Sequence, residues 1–293
     1  MPWYIFGLGS ALISAFGSIV EKKMLVRNSP ATYAVTYAFL NFCFGLPLIF
    51  FTDFTTITPY AIFIMYLTTL GSSIGFICVV EATKYMEVSE VSVLLLLDPG
   101  VTALLGGVML GEFFSWNAMG GIILLIIGVY IARLRGHHGL FDPLKRIFKS
   151  KYVQIVLFGI LAYAIGSQFG RFAIHGLKVP ILTFLFFLQT GLFLNIFLWD
   201  ILRPRKSSFK TGKLTAKELL TLSGVSILTI ASRLMQIQAT RMVYAAFVTA
   251  TKNTSAFFVE LFAGRFMGEK NIGRKIIGTC VMIAGTIIII YSS

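Results

Sequence analysis

Asp98, Lys252 and Glu260 are ionisable residues set inside long apolar runs, and Arg233 stands nearer the end of one. A charge at the centre of a bilayer costs at least about 2.5–3.5 kcal/mol on insertion scales, so such a residue needs a partner, a water-filled cavity or a function. Asp98 is followed at once by Pro99. Proline lacks an amide hydrogen and crowds the carbonyl four residues back, which predicts a helix bend near Leu95. Freed backbone acceptors are tolerated in a membrane where they are buried in protein or line a cavity. A carboxylate there either takes up and releases a proton, or is held as a buried ion pair or neutral acid. Glu260 lies eight residues beyond Lys252, about two helical turns; it is a second titrating group or it reaches interfacial water. Arg233 has a long stem and is expected to snorkel outward.

Uncharged polar groups extend this set. Tyr37 and Asn41 are four residues apart, and Tyr163, Ser167, Gln168, Gln189 and Gln236 fall in three further apolar runs. Each can line a wet centre or hydrogen-bond from helix to helix. The candidate substrate-binding residues are therefore Asp98, Lys252, Tyr37, Asn41, Tyr163, Gln168, Gln189, Arg233 and Gln236. Asp98 and Glu260 are the candidates for proton coupling. No phosphate loop, zinc-helix motif or nucleophile elbow is present, so no enzyme, cofactor or metal site is expected. His137 and His138 are adjacent but bring no further ligand. Cys43, Cys78 and Cys280 lie inside apolar runs and serve most simply as small packing residues.

The elements that must position these side chains are membrane helices. The 293 residues are 57% hydrophobic and 13% charged, with mean hydropathy +0.85. A soluble domain carries about 25% charged residues, so this surface suits lipid. Runs long enough to cross a bilayer fall at 3–20, 31–51, 59–80, 88–110, 116–134, 152–174, 180–201, 218–238, 242–264 and 272–291. The first run lacks a basic leader and a cleavage site, which predicts a retained helix.

Residues 82–128 recur without a gap 157 residues later. Ala82-Thr83-Lys84 becomes Ala239-Thr240-Arg241, and Gly111-Glu112 becomes Gly268-Glu269. Lys252 then corresponds to Leu95, one turn before Asp98, which places opposite charges at matching depth in partner spans. Gly121 and Gly128 correspond to Gly278 and Gly285, two turns apart on one helix face, as in close helix packing. Each half holds five spans, an odd number, so the second enters the membrane inverted. The expected fold is an all-α integral membrane protein of ten transmembrane helices in two inverted five-helix repeats, 1–134 and 152–293. A basic linker, 135–151, joins them.

The net charge is +13. The odd-numbered connections hold 20 Lys or Arg and the even-numbered ones 3. Such a bias puts the odd loops in the cytoplasm and both termini on the far side. The basic loops suit topology and anionic lipid better than nucleic acid, which is not an expected partner.

The run Ser89-Glu90-Val91-Ser92-Val93-Leu94-Leu95-Leu96-Leu97-Asp98-Pro99, the Leu110-Gly111-Glu112 break and its second copy Met267-Gly268-Glu269 resemble EamA-type members of the drug/metabolite transporter superfamily. The resemblance covers essentially the whole chain. It implies a central cavity between inverted halves, reached alternately from either side, and a small-molecule cargo with export the commoner direction. The expectation is a secondary transporter of a small polar or amphipathic metabolite in the cytoplasmic (inner) membrane, acting as a monomer or homodimer. A lipid-carrier flippase on the same scaffold and a non-transporting membrane scaffold or receptor are the alternatives.

Overall fold

A computed structural model describes residues 3–54, 57–111, 115–133, 150–202, 214–243, 248, 252, 255–259, 262 and 272–291. Among them every regular element is helical. In chain order these are α1 (Trp3–Arg27), α2 (Pro30–Gly45) with a 3-10 extension (Leu46–Phe51), α3 (Pro59–Tyr85), α4 (Val88–Leu95) and α5 (Asp98–Leu110). There follow α6 (Trp116–Arg133), α7 (Lys151–Arg171) with a π turn (Phe172–Gly176), α8 (Ile181–Leu202), α9 (Ala216–Met242) and α10 (Ile272–Tyr291). Among the described residues seven helical stretches are long and apolar enough to cross a membrane. Glu260, the linker with His137 and His138, and the Glu112 and Glu269 breaks lie outside the described residues.

Several helices outrun their apolar segments, because a helix continues into the interface as long as its ends find caps. α1 runs to Arg27, seven residues past the expected end, and so carries Glu21 and Lys22 within the helix. The expected bend before Pro99 is present: α4 ends at Leu95 and α5 begins at Asp98.

Repeat-related residues do the same local work. α3 and α9 are both 27 residues long, and both start and end 157 apart. Thr58 caps α3 by accepting from Ala61 N, and Thr215 caps α9 by accepting from Glu218 N. At the other ends, Met86 N donates to Ala82 O and Val243 N to Ala239 O. Lys22 of α1 donates to Thr83 O (2.7 Å) and Met86 O (2.6 Å), closing the C-terminal carbonyls of α3. Arg171 of α7 donates to Thr240 O (3.2 Å) and Val243 O, the residues 157 later. A cation at a helix C-terminus satisfies orphan carbonyls and the helix dipole together. Asn41 of α2 donates to Ser226 Oγ, and Asn195 of α8 donates to Thr69 Oγ1, again 157 apart on the accepting side.

Helix packing follows the same exchange. α1 packs on α9 and α7 on α3, while α2 packs on α8 and α6 on α10. The α3–α7 seam is built on glycine: a Cβ on Gly71 would stand 2.6 Å from Ala162 O, and one on Gly159 2.8 Å from the Cys78 Cβ. Close backbone approach of this kind supplies the dispersion contacts that hold helices together in lipid. α6 and α10 meet likewise. A Cβ on Gly128 would stand 2.7 Å from Gly278 O and against the Met282 side chain. Gly121, Gly128, Gly278 and Gly285 are all buried, so Gly128 and Gly278 act in a contact within the chain.

Candidate functional site

A cavity of about 360 Å³ lies among α1, α2, α3, α7, α8 and α9 and the turn between α4 and α5. α6 and α10 contribute none of its described lining, which agrees with their glycine-based packing on each other. The helix break delivers Asp98: it ends α4 and restarts the chain as α5 with the carboxylate in the first turn. Thr102 Oγ1, one turn on, donates to Asp98 Oδ1 at 3.1 Å. The first turn of a helix presents unpaired amides and a positive dipole end, so an acid there is stabilised in place.

Six of the nine residues picked out as substrate-binding line this cavity: Asp98, Lys252, Tyr37, Tyr163, Arg233 and Gln236. Asn41, Gln168 and Gln189 do not. They are 3%, 1% and 1% exposed and tie helices together behind the wall. Asn41 Nδ2 donates to Tyr37 O (2.8 Å) and Ser226 Oγ (3.2 Å). Gln168 Nε2 donates to Thr102 O (2.5 Å), bracing α7 against the turn that carries Asp98. Gln189 Oε1 accepts from Arg233 Nη1. Each of these amides hydrogen-bonds to a neighbouring helix.

Arg233 differs from the expectation that it snorkels outward. It lines the cavity, and its Nη1 donates to Gln189 Oε1 of α8; a partner within the bundle outweighs a long reach to the interface. Lys252 Nζ donates to Gln236 Oε1 at 3.3 Å. Asp98 and Lys252 thus share one chamber while their hydrogen bonds go to Thr102 and Gln236. A solute can therefore meet each charge without first breaking a bond between them.

Sequence reasoning missed Glu21 and Tyr33, both of which line the cavity. Tyr33 Oη donates to Glu21 Oε2 at 3.3 Å. Glu21 lies one residue past the end of the apolar run 3–20. The available signal was its position one turn past Gly17 and Ser18, which also line the chamber. Tyr33 stacks on Tyr37 (centroids 5.6 Å apart, planes 10° apart), and Tyr37 stacks on Phe76 (5.4 Å). Tyr37 Oη is 2.7 Å from Thr229 Oγ1. The chamber therefore has an aromatic wall from α2 and α3, cations from α9 and residue 252, and carboxylates at residues 21 and 98. Among the described residues no three His, Cys, Asp or Glu side chains gather as metal ligands would.

Residues 1–134 match the EamA-like transporter family. The resemblance first seen in residues 89–99 and 110–112 is thereby shown, and with it a multi-pass membrane protein. A solved crystal structure is similar over 98% of this chain and 95% of its own, with a TM-score of 0.67 and 14% identity. That likeness concerns the fold alone, and it extends through the second half that the family's model does not reach. No curated protein matches.

Proposed function

We propose that this protein is a secondary active transporter that carries a small polar or amphipathic metabolite across the cytoplasmic membrane by alternating access, and that it exports its cargo. The observation that carries this reading is the single chamber holding Asp98, Glu21, Lys252 and Arg233 inside a shell of apolar helices. Ionised groups at that depth are costly unless water or a charged solute meets them.

The architecture proposed is ten spans in two inverted repeats, 1–134 and 152–293, with the basic segment 135–151 between them in the cytoplasm and both termini outside. The paired caps of Lys22 and Arg171 and the exchange of helix contacts support it. Each cap ties helices of one half only. Asp98 and Lys252, with Arg233, match the two ends of a zwitterion such as an amino acid. Tyr37, Tyr163 and Gln236 complete the lining. Asp98 is the proposed coupling residue, with Glu260 a second candidate. No nucleotide site drives the cycle, so the energy comes from a gradient of solute or proton.

Purified protein in liposomes tests the reading. Flux of a zwitterionic amino acid above that of protein-free liposomes supports it, provided Asp98→Asn and Lys252→Met each lower the flux by about tenfold or more. Near-normal flux in both variants removes the site, and absence of flux for every metabolite offered removes the transporter.

A further inference from the structure

Two seams of the fold are repeat counterparts, and they are built differently. Ala15-Phe16-Gly17-Ser18 of α1 corresponds to Ala164-Ile165-Gly166-Ser167 of α7, and Val225 and Leu228 of α9 follow Thr68 and Gly71 of α3 by 157 residues. In the α3–α7 seam backbone meets backbone. A Cβ on Gly71 would stand 2.9 Å from the Gly166 Cα, and one on Gly166 would stand 3.0 Å from Thr68 O. In the α1–α9 seam the position of Gly71 is taken by Leu228 and that of Ile165 by Phe16. There a Cβ on Gly17 would meet only the Val225 side chain, at 3.9 Å. Side chains hold this seam apart where glycines close the other.

Phe16 and Leu228 both fall between the Ser10–Ser232 hydrogen bond (2.7 Å) and the Gly17–Val225 contact. Both line the cavity, yet Phe16 is 57% exposed and Leu228 40%. On α1 the outward stripe runs Leu8, Leu12, Phe16 at four-residue steps, and of these only Phe16 also lines the cavity. On α9 Leu220, Ile227 and Leu228 are exposed, and of these only Leu228 lines it. These two side chains therefore belong both to the chamber lining and to the exposed apolar stripes of their helices.

We infer that Phe16 and Leu228 form an apolar side portal through which the alkyl tail of an amphipathic zwitterion reaches lipid while its charged head stays among Asp98, Lys252 and Arg233. The cargo in this inference rests on the transport reading; the portal itself rests on the geometry alone. A tail that leaves water gains affinity by roughly fourfold for each methylene buried, so a tailed zwitterion outcompetes its short homologue.

The test uses the full chain with Cys43, Cys78 and Cys280 replaced by serine, reconstituted in phosphatidylcholine vesicles. A nitroxide is attached at Leu12→Cys, Phe16→Cys or Leu228→Cys. Collisions with oxygen report lipid, and collisions with a water-soluble nickel chelate report the chamber. The label at 12 is expected to meet oxygen only, and the labels at 16 and 228 to meet both. α-Aminodecanoic acid is expected to remove the nickel collisions at 16, and alanine to leave them unchanged. Oxygen alone at 16 and 228 overturns the portal. Equal loss with both amino acids, or loss with neither, overturns the tailed cargo. Absence of flux with both reagents at 16 intact sinks the transport reading and leaves the portal supported.

Discussion

Gly128 of α6 rests on the carbonyl oxygen of Gly278 in α10, where an added Cβ would stand 2.7 Å away. The obstacle is backbone, which cannot swing aside as a side chain can. Gly128→Ile is expected to lower stability by about 1–3 kcal/mol, as overpacking does. Gly120, on the same helix, has nothing within 4 Å of its Cβ position. Gly120→Ala should leave stability unchanged or raise it by about 0.4–1 kcal/mol. Thermal unfolding in one detergent compares the two; equal effects would show that the α6–α10 contact is not tight.

The repeat-equivalent caps give a second prediction. Lys22→Met and Arg171→Met each leave two helix carbonyls without their donor. Each should cost about 1–3 kcal/mol, the penalty for stranding buried polar groups. Arg171→Lys should recover part of it, because one ammonium can still reach a carbonyl. Unchanged melting of all three variants would mean the caps are decorative.

A third prediction separates the cavity acid from its fold. Glu21→Gln keeps the shape and the capacity to accept from Tyr33, but removes the charge. Melting should stay within about 0.5 kcal/mol of wild type, as for changes away from packed contacts. Amino-acid flux should fall by about tenfold or more, the effect of losing one charge-assisted contact. Flux equal to wild type would place Glu21 outside the transport path.

The substrate pair is tested by exchange of charge. Asp98→Asn and Lys252→Met should each lower flux by about tenfold to a hundredfold, since either loses one charge-assisted contact of about 1.5–3 kcal/mol. Asp98→Lys combined with Lys252→Asp keeps the net charge but inverts the field, and it should not restore flux of the original solute. Restoration would show that only charge balance matters, not which end of the cargo each residue meets.

Orientation is open to labelling. Ser293→Cys should react with an impermeant maleimide on intact cells, because the basic loops hold the opposite face in the cytoplasm. Reaction only after lysis would reverse the topology.

The membrane class was legible from composition. The cost of a mid-membrane charge singled out Asp98, Lys252 and Glu260 as residues needing a reason; Asp98 and Lys252 line one cavity, and Glu260 lies outside the described residues. Asn41, Gln168 and Gln189 were legible only as polar. Whether an amide faces water or a neighbouring helix depends on which helix lies opposite, and periodicity does not name the neighbour. Glu21 escaped because an apolar window ends where hydropathy drops, while the helix runs to Arg27.

The chain's own order of residues determined that it crosses a membrane and that Pro99 interrupts a helix, because each of these is local or compositional. Only the tertiary structure decided that Gly128 meets Gly278, that Arg233 turns inward to Gln189, and that Leu228 stands where Gly71 stands in the sister seam. Those facts depend on the distance between backbones brought together from far along the chain. One methyl-bearing carbon in place of a hydrogen opens or closes such a seam, and no pattern along a single strand of sequence records the gap across it.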